Sequence, residues 1–219
     1  MKFQIRKIGL TPYSEALHVQ ENLHEQVARE EADALIFCEH PHVYTFGKSA
    51  DKNNLLINPE FLNEINAEVF ETERGGDITY HGPGQLVGYP IINLRKAGVG
   101  VKKYVDTLEE SLINTLAQYN IAAYQIPGLT GIWIGTDKEV KRKIGAIGIR
   151  VKNGVSMHGF ALNINTDLSY FNHIVPCGIT DKAVTSVVKE IGPTDMDQFT
   201  DLFIAEFENQ WNKALALYV

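Results

Sequence analysis

Three features predict an α-and-β fold: strand-like apolar runs alternating with amphipathic helical segments, a strong hairpin signal near residue 153, and enough apolar content for a large core. The chain has 219 residues, 44% of them hydrophobic, and is expected to fold as one globular unit spanning residues 1–219. No internal repeat or low-complexity linker divides it, and the IGPTD punctuation at 191–195 is the one candidate boundary.

Residues 2–9 and 32–38, the second reading ADALIFC, form strand-like runs. Between them a helix is predicted from about Ser14 to Glu31, carrying Leu17, Leu23 and Val27 among many charges. A short helix follows Pro59 and leads to the strand EVFETE. Arg74 to Pro90 then reads RGGDITYHGPGQLVGYP, with a glycine pair and an HGPG turn between two β-like runs. Its second run continues as the strand QLVGYPIIN, and amphipathic helices follow from about Lys102 to Tyr119 and from Met196 to Leu217.

The sequence between Val140 and Asn165 is a predicted hairpin turning at Asn153-Gly154, because both turn positions of the tight connection favour positive φ. If those two residues alone form the turn, Lys152 faces Val155. Counting outward then sets Gly148 opposite Gly159, Ile147 opposite Phe160 and Ala146 opposite Ala161. Glycine weakens a strand unless another backbone or a ligand comes close. The paired glycines therefore mark either a groove floor or the tight packing of a helix on the sheet.

A formal charge of −7 argues against general nucleic-acid binding, which depends on basic surface. The N-terminal MKFQIRKIGL lacks the apolar run of a signal peptide, and no segment approaches the roughly 18 apolar residues of a membrane span, so a cytoplasmic location is expected. Two cysteines are too few for a disulfide framework, and each is judged as a thiol.

In CEHPH, alternate positions put Cys38, His40 and His42 on one strand face as possible metal ligands. Pro41 interrupts that strand and no fourth ligand is evident, so no metal is expected and Cys38 reads as a small buried thiol. Cys177 sits differently, in VPCGITDKAVTSVVKEI, where Pro176 and Gly178 hold a turn and a helix is predicted to start after Thr180 or Asp181. Unpaired amides at such a helix start favour a thiolate, although a structural cysteine in a loop fits the same residues. A base is then needed. His81, His158 and His173 are available without an evident acidic partner, and Lys143 begins the glycine-bearing strand among Lys138, Lys141 and Arg142.

Six ordered motifs, EHPHVYTFGK (39–48), RGGDITYHGPGQLVGYPIINL (74–94), PGLTGIWIG (127–135), KIGAIGIRV (143–151), HGFALNIN (158–165) and PCGITDKAVTS (176–186), cover most of the chain. Together they resemble the octanoyl-(acyl-carrier-protein):protein octanoyltransferase family, the lipoyl/octanoyl transferases of lipoate biosynthesis. The resemblance implies an α+β fold of mixed sheets with flanking helices, similar to the catalytic core of biotin and lipoate protein ligases. It implies that Cys177 carries an acyl thioester and that Lys143 lowers the thiol pKa and shuttles protons. It implies a substrate site formed by Arg74, Gly75, Gly76, Asp77, Ile78, Thr79, Tyr80 and His81, by Ala146, Ile147 and Gly148, and by Gly159, Phe160 and Ala161. The donor it implies is octanoyl-acyl carrier protein. The acceptors are lipoyl domains of 2-oxoacid dehydrogenases and the glycine cleavage H protein, and no cofactor, ATP included, is expected.

For that chemistry, backbone amides near the start of the helix in the 180s are expected to hold the oxyanion. The basic cluster Lys138, Lys141, Arg142, Arg150 and Lys152 reads either as steering for acidic carrier domains or as an ordinary solvated hairpin. Two rival readings are an ATP-dependent lipoate or biotin ligase on the same scaffold, and a non-catalytic acyl-carrier-binding module.

Overall fold

The computed structural model describes residues 3–136, 139–175 and 183–216. In chain order the elements are β1 (Gln4–Leu10), α1 (Tyr13–Ala28), β2 (Ala34–Glu39), β3 (Val43–Phe46), α2 (Pro59–Glu64), β4 (Glu68–Glu71), β5 (Thr79–His81) and β6 (Gln85–Ile91). They continue with α3 (Leu94–Ala97), α4 (Val101–Gln118), β7 (Ala123–Ile126), β8 (Leu129–Ile134), β9 (Arg142–Lys152), β10 (Val155–Asn163), β11 (Ala183–Val184), α5 (Val187–Ile191) and α6 (Met196–Ala216).

Among the described residues two sheets form. The larger has the order β1-β2-β6-β10-β9-β8-β7, with β11 added beside β9, and the smaller has the order β4-β3-β5. Both are mixed, since β1–β2, β3–β4 and β11–β9 run parallel and the remaining pairs antiparallel. Side-chain alternation decides what covers each face of the larger sheet. Leu35 and Phe37 of β2 join Leu108 and Leu112 of α4 and Phe199, Phe203, Phe207 and Trp211 of α6 in one core. Their neighbours Ala34, Ile36 and Cys38 turn the other way, onto Ala16, Leu23 and Val27 of α1. Thus α6, which follows the 191–195 punctuation, packs into the same core as the central strands. No described helix is long and apolar enough to cross a membrane.

The β9–β10 hairpin has the register expected from its turn: Lys152 faces Val155, Gly148 faces Gly159, Ile147 faces Phe160 and Ala146 faces Ala161. Asn153 and Gly154 both adopt positive φ, 55° and 86°, as a tight right-twisting connection requires.

Two expectations need correction. Helix α1 stops at Ala28 rather than Glu31, because the buried stripe ends at Val27 and Glu30 turns left-handed at φ 68°. The helix expected to start after Thr180 or Asp181 does not occupy the first described residues that follow: Ala183–Val184 is a strand parallel to Arg142–Lys143, and α5 starts at Val187 and runs five residues. The physical reason is an open edge. Strand β10 pairs with β9 only as far as Gly145, and the chain beyond it supplies β11 to Arg142 and Lys143, with the Thr185 amide donating to the Lys143 carbonyl at 2.9 Å.

Three histidines are buried where the sheets and α1 meet. His40 donates from Nδ1 to the Thr11 carbonyl at 2.7 Å and accepts at Nε2 from the Tyr89 hydroxyl at 2.7 Å. His81 donates from Nδ1 to Gln85 Oε1 at 2.8 Å. The backbone amide of His158 donates to Gln20 Oε1 at 2.9 Å. Burial pushes His40 and His158 down to about 4 and His81 to about 3, with the Arg74 charge adding to the effect at His158 and the neighbouring His40 at His81. All three are neutral at pH 7. Because the unfolded chain takes up these protons near pH 6.5, the stability they contribute is full above that pH and is lost as pH falls toward 4. Each ring costs on the order of 2 kcal/mol at pH 5 relative to pH 8. Calorimetry in matched ionic strength should therefore find a Tm at pH 5 that is lower by roughly 5 °C or more than at pH 8. An equal Tm at the two values would contradict the buried, neutral assignment.

Candidate functional site

A cavity of about 250 Å³ opens on the α1 face of the larger sheet, just below the roughly 300–1,000 Å³ range of small-molecule pockets. Its floor is the β9–β10 hairpin at residues 146–148 and 159–161, and its other side is the loop 74–79 with His81. The two sides approach main chain to main chain. The Gly75 amide donates to the Ile149 carbonyl at 2.9 Å, and a Cβ on Gly148 would stand 2.9 Å from the Gly75 carbonyl oxygen. A Cβ on Gly159 would overlap the Gly88 carbonyl oxygen of the adjoining strand β6 at 2.1 Å. The tracts thus floor a cavity, as the groove reading expected, and the backbone that comes close is that of a loop and a strand, not the packed helix of the alternative reading.

Arg74 anchors the loop. The residue is 8% exposed, and its guanidinium donates to Thr45 Oγ1 at 2.9 Å and to the Gly75 carbonyl at 3.0 Å, tying the loop to β3. From His81 a chain of hydrogen bonds crosses the sheet: Gln85 Nε2 donates to Asn163 Oδ1 at 2.9 Å, and Asn163 Nδ2 to the Thr185 carbonyl at 3.0 Å. His81 donates from Nδ1 to Gln85, and burial keeps its ring neutral at pH 7.

Lys143 lines the same cavity. Its Nζ donates to the Thr130 carbonyl at 3.2 Å and lies 4.8 Å from the centroid of the Trp133 ring, a cation–π distance. Cys177 and Lys138 lie outside the described residues. The chain that follows the PCGITD segment pairs with the Lys143 strand, Val184 opposite Lys143 and Ala183 opposite Arg142.

The amides expected to hold the oxyanion, at a helix start after Thr180 or Asp181, begin outside the described residues. Further along, Thr185 donates to Lys143, Val188 to Ile164, and Lys189 and Glu190 to Ser186. The basic cluster is also partly neutralised: Arg142 holds Glu190 through two bonds of 3.2 Å, and Arg150 pairs with Glu73.

Tyr80 does not line the cavity. Alternation along β5 sends Thr79 and His81 to it and Tyr80 to the opposite side, where its hydroxyl meets His42 Nδ1 at 2.8 Å and its ring stacks on Tyr170. His40, considered above as a metal ligand, has both ring nitrogens bonded to protein atoms, and Cys38 is buried with its thiol pushed up by burial. Residues absent from the expected site also line the cavity: Tyr13, Val87, Tyr89, Trp133, His158 and residues 128–130 at the start of β8. Tyr13 and Tyr89 stay protonated at pH 7, since burial raises Tyr13 to about 12 and Tyr89 well above its ordinary value. Val87 and Tyr89 follow from the period of the QLVGYPIIN strand once its face is known. Tyr13 and Trp133 reach the cavity only through tertiary packing, Tyr13 by stacking on His81 and Trp133 by facing Lys143 across β8 and β9.

Comparison with known proteins agrees with this geometry. Residues 12–208 match the family described as lipoyl protein ligase A/B catalytic domain. The octanoyltransferase of Bacteroides fragilis is 49% identical over 189 residues, covering 84% of this chain and 86% of its own. That of Alkaliphilus metalliredigens is 45% identical over 215 residues, covering 97% and 96%. Among solved structures, a bipartite lipoate protein ligase from Thermoplasma acidophilum superposes with a TM-score of 0.78 at 15% identity, covering 97% of this chain and 84% of that one. The biotin protein ligase of Aquifex aeolicus gives 0.57 at 12%, covering 99% and 72%. The α+β architecture of mixed sheets with flanking helices is therefore that of the lipoate and biotin ligases, and the chain belongs to the octanoyltransferases of the lipoyl protein ligase A/B catalytic-domain family.

Proposed function

We propose that the chain is a single catalytic domain that transfers an octanoyl group from octanoyl-acyl carrier protein to a lysine of lipoyl domains, those of 2-oxoacid dehydrogenases and the glycine cleavage H protein. The observation that carries this reading is Lys143 on the wall of a cavity floored by the Gly148–Gly159 pair and bounded by the RGGDIT loop. The relatives' shared name supports octanoyl transfer, and the ligase fold supports lipoylation as its setting.

In the proposed reaction the Cys177 thiolate attacks the donor thioester carbonyl. A new carbon–sulfur bond forms, and the carrier thiolate leaves and takes a proton. The acceptor amine then attacks the Cys177 thioester, loses a proton and forms the amide as the Cys177 thiolate departs. An ordinary thiol of pKa ~8.5 is only about 3% thiolate at pH 7, and an amine of pKa ~10.4 is under about 0.1% neutral. Lys143 addresses both shortfalls: as a cation it stabilises the thiolate, and as a free amine it accepts the acceptor's proton. Burying an eight-carbon chain contributes on the order of 5 kcal/mol at about 0.8 kcal/mol per methylene, which supports selection for chain length in a cavity of this kind. The donor thioester is already activated, so the scheme needs no ATP.

The scaffold also suits the rival ligase reaction, since a lipoate-protein ligase A with bound ATP superposes at a TM-score of 0.76. Incubation with octanoyl carrier protein followed by intact-mass analysis separates the readings. One covalent octanoyl adduct is expected, lost in Cys177→Ser; no adduct, or ATP-dependent transfer that survives Cys177→Ser, would overturn the proposal. Lys143→Ala should raise the pH needed to alkylate Cys177 by about one pH unit or more. An unchanged alkylation profile removes Lys143 from the role.

A further inference from the structure

Lys143 is held by one peptide unit, and that unit is held from behind. The Thr130 carbonyl accepts from Lys143 Nζ at 3.2 Å, while the Gly131 N–H of the same peptide donates to Glu109 Oε1 at 2.8 Å. In a planar trans peptide these two groups point in opposite directions, so Glu109 and Lys143 occupy opposite ends of one dipole. The fit is close. Gly131 has φ 128°, and a Cβ there would stand 2.7 Å from the Gly145 carbonyl oxygen and 3.0 Å from Lys143 Cε. Glu109 reaches this peptide from α4 and is only 7% exposed. Burial, with Asp106 adding to it, leaves its carboxyl raised above the ordinary range, and the hydrogen bond from Gly131 and the ammonium groups of Lys102 and Lys143 draw it only part of the way back.

We propose that Glu109 is a positioning residue for Lys143, fixing the Thr130 carbonyl that holds the ammonium and placing a negative charge behind it. A carboxylate bonded to the N–H of a peptide polarises that peptide, so its carbonyl accepts more strongly from a cation. The ammonium form of Lys143 is favoured by the same charge through space. Among the described residues, two other charge pairs lie on the elements packed around Lys143: Lys102 meets Asp106 at 2.7 Å on α4, and Arg142 meets Glu190 between β9 and α5. On β8 the neighbours are the Trp133 ring and the Thr130 carbonyl, and the β11 side contributes the Thr185 amide. Neutralising Glu109 therefore changes the charge behind Lys143 without disturbing these contacts.

The importance of this role for transfer rests on the reading of Lys143 as the proton-handling amine, but the coupling can be measured without turnover. Brief acetylation with acetic anhydride across a pH series, followed by peptide mass spectrometry, gives the pH midpoint of Lys143 reactivity. In Glu109→Gln, which retains an acceptor for Gly131, the midpoint should fall by roughly 0.5–1 pH unit, and the alkaline side of the kcat/KM profile should shift with it. An unshifted Lys143 midpoint in a folded Glu109→Gln protein would overturn the proposal. Should that variant fail to fold, ¹⁵N detection of Lys143 Nζ and ¹³C detection of the Glu109 carboxyl in the unsubstituted protein decide it: a step in the lysine signal as Glu109 titrates supports the coupling, and independent titrations refute it. Transfer that persists in Lys143→Ala would instead sink the catalytic reading of Lys143, and the Glu109→Gln midpoint would still report on the coupling.

Discussion

The site depends on one close approach, that of the loop bearing Arg74, Gly75 and Gly76 against strand β9. The loop is bonded to Ile149 through the Gly75 amide, and the separation is set by the absence of a side chain at Gly148. On its far side the same loop lies so near β3 that a Cβ on Gly47 would overlap the Gly76 carbonyl oxygen at 2.2 Å. Backbone lies against backbone on both sides, and the Arg74 guanidinium bolts the arrangement to Thr45. The height of the cavity follows from that spacing and not from mobile side chains, which suits a slot for a thin, flexible apolar chain.

The chemistry around the slot divides sharply. The phenols of Tyr13 and Tyr89 and the imidazoles of His81 and His158 are all kept neutral at pH 7 by burial. The proposed proton traffic is left to Lys143, which sits at the partly open edge where β8, β9 and β11 meet. The fold is shared with ligases at 12–16% identity, so architecture alone does not fix the chemistry, which rests with the side chains at the site.

Much of this was legible in the sequence where short-range rules govern. Asn153-Gly154 set the hairpin register residue by residue, because a two-residue turn leaves no freedom in the pairing. The amphipathic period located α1, α4 and α6 to within a few residues. The hidden parts depend on contacts remote in sequence. Strands β3 and β5 are four and three residues long, too short for a period, and exist because they pair with each other. Glycine spacing pointed to the cavity floor, whereas nothing local marked Tyr13 or Glu109. The helix expected after Thr180 gave way to β11 because an unpaired strand edge outweighs local helical preference.

The account as a whole says that the acyl chain lies along the glycine floor, and a crystal structure of the protein after reaction with an octanoyl thioester tests this most directly. The predicted result is continuous density for the eight-carbon chain between the 74–76 loop and the Gly148–Gly159 pair. Density for the chain anywhere else would contradict it.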